Sequence, residues 1–283
     1  MEASHKAATG PPNGGIDRAR LHDALTATGD RLAYLVRHLP DTAVPVPKSD
    51  WTVGDIAAHV LLGHRLYTSL INGGSSPFTG RDSFFTDGEA RSPVSAQMVP
   101  DFPERDGARL ADLLVEETRA LLEAAARYPD SHVVRWHWMD IEVGPFTCMA
   151  LFHAIEHGHD IARALRRRFR IDPADARLAL EGLKAILPAF LDKEAARGLT
   201  ACLELRVRGG SQVFLLIDEG EASLHSSAPR GVDCRLSADP VAFLLVATGK
   251  VSQWGPIARG KLVAWGRKPW LAMQLTTLFP SPG

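Results

Sequence analysis

The chain is poor in cysteine. Its three thiols, Cys148, Cys202 and Cys234, lie far apart and form no C-x-x-C pair. That excludes a disulfide scaffold and a thiolate zinc site, and it fits a reducing cytoplasm. An excess of charge is also missing, since 32 Lys and Arg stand against 33 Asp and Glu, a net charge of −1. Without surplus cations to neutralise phosphates, a nucleic-acid partner is not expected. No apolar run approaches the roughly 18 residues a bilayer span needs, so no membrane partner is expected either. The opening MEASHKAATGPPNGG lacks the apolar segment of a secretory signal and reads as a disordered leader over residues 1–16. The expectation is a soluble cytoplasmic protein.

Hydrophobic spacing organises the rest. Leu21, Leu25, Thr28, Leu32, Leu35 and Leu39 recur at helical intervals from Asp17 onward, and Pro40 ends the run. A second helix starts at Val53, because Thr52 is a good N-cap, Asp55 completes a capping-box pair and Trp51 can staple onto Ile56. It ends near Asn72-Gly73-Gly74. Residues 75–104, rich in Ser, Pro, Gly and Phe, read as a long loop of the kind that often serves as a lid. A third helix is expected over about Asp106–Tyr128, and a fourth from Pro145–Thr147, ending in the basic run Arg163–Arg170, which reads as a solvated helix end. After Ile171 the pattern changes. Asp172-Pro173 opens a helix, alternating strands follow in CLELRVR, QVFLLID and VDCRLS, and two short helices complete the segment. This is a multidomain α and α+β chain: four helices, then a small α+β unit, with the boundary near Arg168–Asp172.

What the chain does have is histidine, 11 in all, with three inside LFHAIEHGHDIARAL. On a helix, His153 and His157 share a face four residues apart and can point their imidazoles at one metal ion. Asp160 lies on the same side, placed to orient a ligand imidazole through its other nitrogen. His159 is rotated away, and Glu156 is off the face. Two ligands hold a catalytic ion poorly, and His59, inside the apolar-striped second helix, is the best third. Three imidazoles with an open fourth position is a catalytic rather than a structural zinc set. The spacing alone also admits hydrogen-bonded core histidines.

Both His-bearing stretches resemble signatures of the DinB-like metal-binding bundle, in the branch that includes mycothiol-dependent maleylpyruvate isomerase. WTVGDIAAHV is similar to that family's Trp-Ser/Thr-Val-x-Asp-x-x-x-His, and HAIEHGHDIARAL to its ligand-x-x-x-His-x-x-Asp motif. Matched by position, the resemblance implies metal ligands at His59, His153 (where the family has His or Glu) and His157. FLLIDEGEASLHSS, LSADPVAFLLVATGKV and GKLVAWGRKPWLAMQLTTLF resemble a sterol-carrier-like domain. The implied layout is a DinB-like four-helix bundle over 17–170 and a sterol-carrier-like α+β domain over 171–283. The implied chemistry is zinc, or another divalent metal, activating the thiol of mycothiol for attack on an electrophilic small molecule, by S-transfer or isomerisation. No protein nucleophile is assigned. Arg259 and Arg267 are candidates for holding an anionic substrate. A metal-dependent hydrolase and a non-enzymatic carrier of an apolar ligand are the alternatives.

Overall fold

The computed structural model describes residues 15–75, 98–137 and 139–280. Nearly all of the expected leader, and most of the 75–104 segment read as a loop or lid, lie outside them. The chain divides into two compact units, Ile16–Leu183 and Lys184–Ser281.

The first unit is built on helices α1 (Arg18–Arg37), α2 (Val53–Ile71), α3 (Gly107–Ala126) and α4 (Val143–Ala164). Each starts where its local chemistry allows. The Asp17 and Asp106 carboxylates accept from the N–H groups of Arg20 and Arg109, satisfying donors that the helix itself leaves unpaired. At α2 the Thr52 hydroxyl and Asp55 carboxylate form the full capping box. α1 and α2 both pack between α3 and α4, burying Leu25, Leu32, Leu61, Leu110, Leu114 and Leu151 in a common core.

The aromatic stretch before α4 folds as a hairpin of β1 (Val133–Trp136) and β2 (Met139–Glu142). It aims the helix that follows. Val143 N–H donates to His132 O at 2.8 Å and Gly144 N–H to Asp130 O at 3.1 Å, so loop carbonyls cap the first turn of α4. Helix α5 (Pro173–Ile186) begins as its Asp-Pro start requires, with Asp172 accepting from the Ala174 N–H at 2.7 Å.

The break between units falls after Leu183, later than the boundary expected near residue 170. Gly182 explains the difference. It presses on the α4 backbone at Cys148 and Met149, and that close approach ties most of α5 to the bundle.

In the second unit a 3-10 turn (Leu187–Phe190) leads into strands β3 (Ala201–Val207), β4 (Gln212–Asp218), β5 (Glu221–His225), β6 (Cys234–Ala238) and β7 (Leu262–Trp265). Their order is β5-β4-β3-β6-β7, with β3 and β6 parallel and every other pair antiparallel. Helices α6 (Pro240–Ala247), α7 (Trp254–Ala258) and α8 (Leu271–Leu278) follow β6 and β7. Leu203, Leu205, Leu215, Ile217 and Leu236 form the core with Leu271 and Leu278 of α8. All three cysteines are buried free thiols. Among the described residues no helix is long and apolar enough to cross a membrane.

Candidate metal centre

His59 stands in the second turn of α2, seven residues after the N-cap Thr52 that the capping box fixes. Arg105 reinforces that start, its guanidinium donating to the Asp55 carboxylate at 2.8 and 3.0 Å. Burial alone would raise the Asp55 carboxyl, but bonds from Thr52 and Arg105 hold it below the usual carboxylate range. His153 and His157 stand one turn apart on α4, which packs against α2.

The three rings converge. Ligand-capable atoms of His59, His153 and His157 all lie within 4.8 Å of one another. Ring centroids are 4.6 Å apart for His59–His153, 4.7 Å for His59–His157 and 4.6 Å for His153–His157, each pair edge to face. The Nε2 atoms of His59 and His153 face each other at 2.7 Å. One proton between them would make a hydrogen bond, yet the Nδ1 atoms of both rings are buried without a hydrogen-bond partner among the described residues. A purely hydrogen-bonded core role is therefore incomplete, since each ring satisfies at most one of its two nitrogens.

The electrostatics favour lone pairs. Burial, and then the neighbouring His64, lower the His59 pKa to about 3. Burial followed by His59 and His64 pushes His153 well below its ordinary value. Both are neutral imidazoles at neutral pH, the form that ligates metals. His59 is buried, while His153 and His157 are partly buried. Three converging imidazoles, two of them held neutral by burial, fit a divalent cation such as zinc.

Two further aromatic side chains border the cluster. Trp51 lies edge-on to His59 at 5.0 Å, and Tyr67 packs on Phe146 at 4.9 Å with its ring 6.3 Å from His153. Burial, then the charge of Glu156, raises the Tyr67 phenol above its ordinary range, so it stays protonated. Asp160 has a carboxylate oxygen 3.8 Å from His157 Nδ1, on the expected side but beyond a direct hydrogen bond. His159 is not in the cluster.

Arg259 and Arg267 belong to the second unit. Arg259 is exposed at the end of α7. Arg267 donates to the fully buried Asp233 carboxylate, which also accepts from the Cys202 N–H at 3.1 Å. Burial would raise the Asp233 carboxyl, but Arg267 and that N–H hold it below the usual range. The Arg267 guanidinium is thus engaged in a structural ion pair. Sequence reasoning missed Tyr67 as a neighbour of the cluster, and read Trp51 as a helix staple and as the first residue of the family's Trp-Ser/Thr-Val-x-Asp-x-x-x-His signature without placing its ring against His59. The Tyr67 role has no spacing signal because it arises from α2 packing on α4, whereas Trp51 meets His59 from just ahead of the α2 N-cap.

Comparison with known proteins adds a family. Residues 21–162, half of the chain, match the model of the mycothiol maleylpyruvate isomerase N-terminal domain. Residues 183–280 match the SCP-2 sterol transfer family. Among solved structures, the mycothiol-dependent maleylpyruvate isomerase aligns with a TM-score of 0.51 and 14% identity, over 88% of this chain and 91% of that one. A histidine-to-alanine mutant of that enzyme aligns with a TM-score of 0.52, at the same identity and coverage. These likenesses establish a shared fold. No curated protein matches the chain.

Proposed function

The chain belongs to the family of the mycothiol maleylpyruvate isomerase N-terminal domain, and from that premise we propose that it is a metal-dependent enzyme using mycothiol to attack an electrophilic small molecule. The observation that carries this reading is the convergence of His59, His153 and His157 within 4.8 Å. His59, His153 and His157 would hold a divalent ion, which would supply Lewis acidity toward a thiol whose ordinary pKa is about 8.5.

This chain's residues do the rest. His59 and His153, kept neutral by burial, offer lone pairs and no competing negative charge. Asp160 stands on the Nδ1 side of His157, where it favours the tautomer that leaves Nε2 as donor. The Trp51 and Tyr67 rings wall the cluster with apolar surface, which limits water at the reacting sulfur. Addition of thiolate to a conjugated cis-diacid, rotation about the former double bond and expulsion of the same thiolate give the trans isomer and return the thiol. With an epoxide the S–C bond forms as a ring C–O bond breaks, the resulting alkoxide takes up the proton the thiol gave up, and the product is the hydroxyalkyl S-conjugate.

The test is thiol-dependent turnover by zinc-reconstituted protein, offered mycothiol and either a cis-conjugated diacid or an epoxide. Turnover that needs both zinc and thiol is expected. Turnover without any thiol would replace this reading with hydrolysis.

A further inference from the structure

Gly63 sits on α2 one turn after His59, on the same face of the helix. Glycine in a helix interior is unfavourable relative to alanine, so its presence there needs a packing reason. The reason lies opposite. A Cβ built on Gly63 would come 2.8 Å from Cε1, 3.2 Å from Nδ1 and 3.9 Å from Nε2 of His153. The His153 imidazole lies edge-on against bare α2 backbone, in the place a side chain four residues after His59 would fill.

We propose that Gly63 is the positioning residue of the metal centre, the absent side chain that lets the His153 ring reach the point it shares with His59 and His157. The inference rests on the metal reading above and deepens it. An added methyl must push Cε1 outward by roughly 0.7 Å to restore an ordinary carbon contact of about 3.5 Å. The ring is rigid, so Nε2, which faces His59 Nε2 at 2.7 Å, moves with it. Metal–ligand distances tolerate only about 0.2 Å. The clash falls on the far end of a side chain rather than on backbone, so the ring yields and the helix stays. The ligand is displaced while the fold is kept.

Zinc(II) titration of metal-free full-length protein tests this in four forms: wild type, Gly63→Ala, His153→Ala and the double variant. Wild type is expected to take one equivalent, and Gly63→Ala to bind about ten- to a hundred-fold more weakly. The thermal midpoint of metal-free Gly63→Ala should equal or exceed that of wild type, because alanine is the better helix former. In the His153→Ala background the Gly63→Ala change should alter affinity less than about two-fold, since the ring it strikes is gone. If Gly63→Ala alone fails to fold, the double variant should fold.

Wild type that binds no zinc would remove the metal centre, and the inference with it. Wild type that binds while Gly63→Ala binds equally well would overturn the positioning role and leave the metal centre standing. A lower metal-free midpoint together with weaker binding in the His153→Ala background would also overturn it, as would a double variant that does not fold.

Discussion

At the scale of single residues, a metal centre depends on where imidazoles can be neutral and on what their nitrogens face. His153 and His157 were legible in the sequence, because a four-residue interval on a helix admits one geometry. His59 was legible as a misfit in an apolar stripe, and the capping box fixed its turn. The environment of these rings was not legible. That Trp51, just ahead of the α2 cap, stands against His59, and that Gly63 makes room for His153 where α2 packs on α4, are facts of packing with no trace in spacing. His59→Ala and His153→Ala are each expected to weaken zinc binding, measurably in titration and enough that less than one equivalent survives dialysis, whereas the exposed His22→Ala keeps one equivalent. Elemental analysis after reconstitution checks this.

A second expectation concerns His64, which is fully buried and bonded through Nδ1 to the Thr118 hydroxyl at 3.1 Å. Burial lowers its pKa to about 4, only partly offset by the Ala150 carbonyl. The folded state therefore refuses a proton that the unfolded chain takes up below about 6.5. The stability this neutral ring contributes is fully present above pH 6.5 and lost as pH falls toward 4. For His64 alone the loss is roughly 3 kcal/mol. Denaturant midpoints of metal-free protein should decline over that window, and a flat profile from pH 7 to 4.5 would contradict the assignment.

At the scale of elements, the helices followed from caps and periodicity, and the shorter pieces did not. The capping box at Thr52 and the Asp172 start of α5 were written in local sequence, because each satisfies orphan N–H groups with a side chain a few residues away. The β1–β2 hairpin was missed. Its turn places His137 at φ 53°, a left-handed conformation that sequence reading assigns to Gly or Asn. α4 accordingly begins at Val143, earlier than the Pro145–Thr147 expected, because hairpin-base carbonyls rather than a side chain receive its first N–H groups. The basic run after α4 keeps Arg163, Arg166, Arg167, Arg168 and Arg170 exposed, as a solvated helix end should. Thr52→Ala is expected to cost about 1 kcal/mol of stability by releasing the α2 cap. One equivalent of zinc should still bind, since fraying reaches the first turn and His59 stands in the second. Chemical denaturation and metal analysis of the same sample separate the two effects.

At the scale of the whole molecule, four helices followed by a small α+β unit were readable from the change of period after Ile171. The exact division was not. Gly182, unremarkable in sequence, binds most of α5 to the bundle and moves the break past Leu183. All three candidate ligands lie in the first unit, so residues 16–183 expressed alone should bind zinc with wild-type stoichiometry, and substitutions at Arg259 and Arg267 should leave that stoichiometry unchanged. Loss of zinc from either would show that the centre depends on the second unit.

The most direct test of the central claim is zinc-edge X-ray absorption on reconstituted protein, before and after adding mycothiol. Before the thiol, nitrogen or oxygen scatterers at about 2.0–2.1 Å with imidazole outer-shell features are expected, and afterwards a sulfur at about 2.3 Å. Zinc without imidazole scattering, or a spectrum that gains no sulfur when the thiol is present in excess, would contradict the account.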